Sequence, residues 1–85
     1  MKLIFVEESW EDYQYWQKTN KSILHRINEI IKDITKSPFE GIGKPEPLRY
    51  KYKGYWSRRI DQEHRLIYKI SGDEVWIVKC RFHYD

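Results

Sequence analysis

The sequence predicts an α+β domain: a short N-terminal strand and two helices packed on one face of a mainly antiparallel sheet. Three observations carry that prediction. Apolar residues recur at helical spacing between residues 23 and 34, turn-forming residues crowd into 38–47, and from residue 55 onward β-prone runs are separated by turn residues. All of this fits one small domain spanning residues 1–85. A chain of that length buries only roughly 60–65% of its unfolded surface, so a few large side chains carry the core. The sequence supplies four Trp, seven Tyr and three Phe.

The elements follow in order. Residues 2–6 are apolar and β-prone and form a first strand. Ser9 is placed to cap a helix, with Asp12 three residues on, and Trp10, Tyr13 and Trp16 form an aromatic stripe expected in the core. The second helix is the clearest: Ile23, Leu24, Ile27, Ile30, Ile31 and Ile34 make one apolar face. Asn20 or Ser22 can cap its start, and Ser37-Pro38 ends it, because the residue before proline is pushed out of helical geometry. His25 lies off the apolar face. The segment 38–47 holds all three prolines and two of the four glycines. It reads as an ordered loop, with Phe39 and Ile42 expected to be buried. Strands are then expected from Tyr55 to Ile60, Arg65 to Ile70 and, after a Ser71-Gly72-Asp73 turn, Val75 to Tyr84.

Strand periodicity sorts the charges. A three-residue turn puts Leu66, Tyr68, Ile70, Trp76, Val78, Cys80 and Phe82 on one face, which the helices cover. Arg65, Lys69, Lys79, Arg81 and His83 then share the other face. Trp56 and Ile60 extend the core side, bringing Arg59 to the face of Arg65. Like charges opposite one another in a sheet are destabilising, so such a pair suggests an anion between them. Arg58 lands on the apolar side and is expected at a rim or an edge.

Net charge is +3, unevenly divided. Residues 1–43 carry six Lys/Arg against seven Asp/Glu, and residues 44–85 carry ten against six, so the halves are −1 and +4. The basic half points weakly to an anionic partner. Cys80 is the lone cysteine and reads as a small buried residue; no Cys or His spacing suggests a zinc site, and no cofactor is expected. The first eight residues hold too short an apolar run for a signal peptide, so a soluble cytoplasmic protein with no membrane partner is expected.

The basic half also carries chemistry. Cleavage of RNA by its own 2′-hydroxyl needs a base for that proton, an acid for the leaving 5′-oxygen, and cations for the charge developing on phosphorus. Glu46, between two prolines at the mouth of the sheet, is the candidate base and His83 the candidate acid. Arg65 and Arg59 are placed to grip phosphate oxygens, with Arg49 in support. Tyr84 or Tyr55 is suited to stack on a base. His64 competes with His83, but its parity sends it to the core face. Each of these residues also has an ordinary structural reading; the combination is what suggests a site.

At these residues the chain resembles the YoeB toxins of the RelE superfamily. The likeness spans nearly the whole chain, through Glu7-Glu8-Ser9-Trp10, Ile27-Asn28-Glu29, Pro38-Phe39-Glu40-Gly41 and Gly43-Lys44-Pro45-Glu46-Pro47-Leu48. It continues through Gly54-Tyr55-Trp56-Ser57-Arg58-Arg59-Ile60, Glu63-His64-Arg65-Leu66-Ile67-Tyr68 and Cys80-Arg81-Phe82-His83-Tyr84. The resemblance implies a microbial-ribonuclease-like fold and a type II toxin that cuts mRNA in the A site of the 70S ribosome, leaving a 2′,3′-cyclic phosphate or 3′-phosphate. It implies Glu46 as base, His83 as acid and Arg65 on the phosphate, with Arg59, Arg49 and Tyr84 in support. Lys is common in the family where this chain has Arg49, and Asp85 extends past the family's terminal Tyr. The implied partners are a YefM-like antitoxin, the ribosome with its mRNA, and a second copy in a homodimer. Two other readings stay open: a toxin that binds RNA or the ribosome and acts by occlusion, and a gyrase poison on the same fold.

Overall fold

A computed structural model of the chain describes residues 1–83. Strand β1 (Lys2–Phe5) leads into helix α1 (Glu7–Thr19) and helix α2 (Lys21–Lys36). Then come β2 (Glu46–Pro47), a single 3-10 turn (Tyr50–Tyr52), β3 (Trp56–Arg59), β4 (Arg65–Ser71) and β5 (Glu74–Lys79). The five strands form one sheet in the order β1-β5-β4-β3-β2, antiparallel except where β1 pairs with β5. This is the expected α+β architecture. No described helix is long and apolar enough to cross a membrane.

Helix α2 starts where Asn20 accepts the Ile23 amide and stops at Ser37. Its isoleucines 27, 30 and 34 are fully buried against Leu66, Tyr68, Val75, Ile77 and Cys80. Each contributes on the order of 2 kcal/mol by leaving water. Helix α1 begins three residues earlier than a cap at Ser9 implies, with Val6 at the N-cap. Ser9 lies inside the helix, where its hydroxyl accepts from the Val6 amide (3.1 Å) and donates to the Ile77 carbonyl (2.5 Å), tying α1 to β5. Of the aromatic stripe, Trp16 is buried and Tyr13 packs on the core, but Trp10 stays half-exposed, stacked on Tyr13.

The β4–β5 register departs from the expected parity. Ser71 pairs with Glu74, so the loop is two residues, Gly72-Asp73, with Gly72 in the left-handed region (φ 58°). Val75 and Ile77 therefore enter the core, while Trp76 turns to the outer face beside Lys69. An irregularity at Val78 then shifts the register, so that Lys79 pairs with Ile67 and Cys80 returns to the core. Regular β5 ends at Lys79, not Tyr84. The chain turns through Phe82 (φ 64°), which is half-exposed, and Arg81 swings off the basic face to lie 3.5 Å over the Tyr15 ring.

Arg58 is not at a rim. It is fully buried, donating to Asp33 Oδ2 (2.6 Å), the carbonyls of Ile42 (3.0 Å), Ser37 (2.7 Å) and Glu40 (3.1 Å), and Tyr68 Oη (3.2 Å). A guanidinium tolerates burial because its fork can be saturated this way. Tyr68 in turn donates to the Pro38 carbonyl (2.6 Å). The loop 37–42 is held by these bonds from inside, which is why Phe39 and Ile42 remain exposed where burial was expected.

Candidate active site

Register builds the site. Glu46 pairs with Ser57, and Arg59 with Arg65, so all four residues stand on the face away from the helices. They line, together with Lys44 and His83, a polar cleft of about 120 Å³. The cleft is of phosphate size. It brings the expected base, acid and two arginines together, and adds Lys44 and the buried Ser57, which the sequence reading did not single out.

Arg65 is aimed by its own turn. Asp61 Oδ1 accepts the amides of Glu63 (2.9 Å) and His64 (2.6 Å), fixing residues 61–64. Arg65 Nη1 then donates to the carbonyls of Asp61 (2.8 Å), His64 (3.1 Å) and Gln62 (3.3 Å). Nε and Nη2 make no hydrogen bond among the described residues, which leaves donors for an incoming anion. Arg59, exposed, likewise holds no partner there through its guanidinium.

His83 is delivered by a latched turn. The Cys80 amide donates to Asp12 Oδ2 (3.1 Å), and Trp16 Nε1 donates to the Cys80 carbonyl (2.8 Å). Two residues on, the Phe82 amide donates to His64 Nδ1 (2.7 Å), and the Arg65 amide donates to the Phe82 carbonyl (3.1 Å). His64 is buried against Trp16, on the core side as its parity implied. Its Nδ1 accepts, so the ring proton of the neutral tautomer sits on Nε2. Nothing local in the sequence marks His64 as a latch; only the fold brings it to Phe82. Burial pushes the Asp12 carboxyl up, opposed by the Cys80 amide. Burial, with Asp12 adding, pushes the Cys80 thiol well above its ordinary value, so it is no nucleophile.

A second, larger cleft of about 770 Å³ adjoins the first, and Glu46 borders both. Its wall is the arc through Leu48, Arg49, Tyr50 and Tyr52. Arg49 is thus beside the polar cleft, not in it. Tyr55 is half-buried behind the arc, its ring 6.2 Å from that of Tyr52 and 5.6 Å from Lys69 Nζ. Tyr84 lies outside the described residues.

Residues 5–84 match the family described as the YoeB-like toxin of bacterial type II toxin–antitoxin systems. The chain belongs to that family. Toxin YoeB of Escherichia coli O6:H1 (strain CFT073) is 60% identical over 99% of this chain and all of its own length. The solved YoeB/ParE toxin from Agrobacterium tumefaciens superposes with a TM-score of 0.97 at 46% identity, over 99% of this chain and 100% of that one. YoeB of Staphylococcus aureus, solved in complex with YefM, gives 0.92 at 42% identity over 99% and 98%. This protein is therefore the toxin of a type II system, and its YoeB fold carries the polar cleft just described.

Proposed function

We propose that this YoeB-family toxin is an endoribonuclease that cuts mRNA in the ribosomal A site and so stops translation. The observation that carries the reading is the convergence of Glu46, Arg59, Arg65 and His83 on one phosphate-sized cleft. Glu46 takes the proton of a 2′-hydroxyl, and the freed oxygen attacks the adjacent phosphorus. Arg65 and Arg59 hold the non-bridging oxygens as charge builds on them. His83 gives a proton to the departing 5′-oxygen, leaving a 2′,3′-cyclic phosphate and a 5′-hydroxyl; addition of water opens the ring to a 3′-phosphate.

Dependence on the ribosome follows from the size of the site. A cleft of this kind touches few phosphates, so binding to free RNA is weak at physiological salt. Holding the 2′-oxygen in line with phosphorus is worth up to about 7–11 kcal/mol, and a bent message in the A site supplies that alignment. The same exposed cations suit the acidic, initially disordered tail of a YefM-like antitoxin, which would cover the cleft and displace the 82–84 end. Such a toxin acts in the cytoplasm, where its message and antitoxin are.

The test is primer extension on an mRNA translated in a purified system, with and without the protein. Stops within A-site codons are expected, and Glu46→Ala or His83→Gln should slow single-turnover cleavage by about 10²–10⁴-fold. Arrest without cuts would identify occlusion, and failure to affect purified translation would point to gyrase.

A further inference from the structure

The larger cleft has a chemistry of its own. Tyr50 is 91% exposed and its backbone sits in the left-handed region (φ 58°), where a bulky residue is uncommon. The chain thus adopts an unfavourable conformation that leaves an aromatic ring standing in water. Around it are the buried Leu48, the Tyr52 ring with Lys51 Nζ 5.3 Å from its centroid, and the exposed Arg49. A ligand that is both aromatic and anionic fits this surface, and a nucleotide is both.

Glu46 borders both clefts, and that fixes which nucleotide. The base that removes the 2′-proton must stand beside the ribose bearing that hydroxyl, which lies on the 5′ side of the cut. Resting on the nuclease reading above, we infer that the 46–52 arc is the binding site for the nucleobase on the 5′ side of the scissile phosphate, with Tyr50 as its stacking platform. The phosphate occupies the Arg59–Arg65–His83 cleft while the base of the same nucleotide lies against Tyr50 and Leu48. Arg49 stands where it can meet the preceding phosphate. Base preference at that position is then set by this arc.

A 3′-nucleotide is the smallest probe that reaches both clefts. Amide NMR titrations with 3′-AMP, 5′-AMP and inorganic phosphate should show phosphate perturbing the polar cleft, Arg59, Arg65 and His83 among it, and not residues 48–52. With 3′-AMP, Leu48, Tyr50 and Tyr52 should also shift, and binding should be about tenfold tighter than phosphate, as base–aromatic stacking gives. The 5′-isomer should lack most of that gain. Tyr50→Gly, which keeps the left-handed turn, should abolish the gain and leave phosphate affinity unchanged. Equal affinity for 3′-AMP and phosphate, or a gain that survives Tyr50→Gly, overturns the inference while leaving the nuclease reading intact. So does a response of the Tyr50 amide to polyglutamate and not to 3′-AMP, which would make the arc a protein-docking surface. Phosphate that fails to perturb Arg65 and His83 would sink both.

Discussion

Arg58 and Arg59 are neighbours in one strand, and they serve opposite ends. Arg58 points to the helix side, where five acceptors saturate it and Asp33 neutralises it. Arg59 points to the open side, directly across from Arg65, with no such partner among the described residues. The first converts a buried charge into a clasp for the loop 37–42. The second keeps two like charges facing each other, which costs folding energy unless an anion comes between them. One strand thus separates what the fold needs from what the site needs, by the two-residue alternation of its side chains.

The sharpest way to break this comparison is to remove a partner on each side. Asp33→Ala leaves the Arg58 guanidinium buried without its counter-charge and should lower the unfolding free energy by about 3–5 kcal/mol in urea titrations. Arg59→Ala should change it by less than about 0.5 kcal/mol, because an exposed side chain without partners holds nothing in place. Equal losses would mean the two faces are not divided in this way. In cleavage on programmed ribosomes the order should reverse. Arg59→Ala should lose about 10²-fold in rate as a donor to the charged transition state is removed. The folded fraction of Asp33→Ala should cleave normally.

A smaller perturbation reaches the clasp through the backbone. Gly41 has φ 127°, and a Cβ there would collide with Asp33 Oδ2 and press on Arg58. Gly41→Ala should therefore destabilise by about 1–3 kcal/mol, the usual cost of a strained backbone. An increase in melting temperature would show that the loop has room the structure does not give it.

Much of this division was legible in the sequence, and the failures have two causes. Helix α2 was readable because six apolar residues at helical spacing admit one solution, and the Arg59–Arg65 pairing followed from parity within short strands. The hairpin register was not readable, because Ser71-Gly72-Asp73 permits a loop of two residues or three. The irregularity at Val78 then undid the shift, which is why Cys80 and Lys79 still fell on their expected sides and Trp76 did not. Arg58 went wrong for a different reason. Its five acceptors come from residues 33 to 68, and no local pattern announces that they will meet. The His64–Phe82 latch is non-local in the same way, whereas Glu46, Arg59, Arg65 and His83 stood out because together they make up a set suited to acid–base chemistry on a phosphate.

The smallest expected effect sets two aspartates against each other. The Arg58 hydrogen bond holds the Asp33 carboxyl below its ordinary value of 3.8, so Asp33 stabilises the fold above that pH. That contribution is lost as pH falls through the lower folded value. Asp12 runs the other way. Its carboxyl is pushed above 3.8 by burial, so ionisation is harder in the folded chain than in the unfolded one. The folded state binds the proton more readily, so Asp12 works against stability as pH rises above 3.8, and fully once the pH exceeds its raised value. An amide at position 12 can still accept the Cys80 amide proton, but carries no charge to desolvate. Asp12→Asn should thus raise the melting temperature slightly at neutral pH, with the gain shrinking as pH falls toward 3.8. Asp33→Asn should lower it at neutral pH, with the loss vanishing in acid. Melting curves from pH 3 to 8 on the two variants read both signs. If Asp12→Asn destabilises at neutral pH, the negative charge itself is holding the end of β5, through Lys79 and Arg81. The latch that delivers His83 would then be electrostatic as well as hydrogen-bonded.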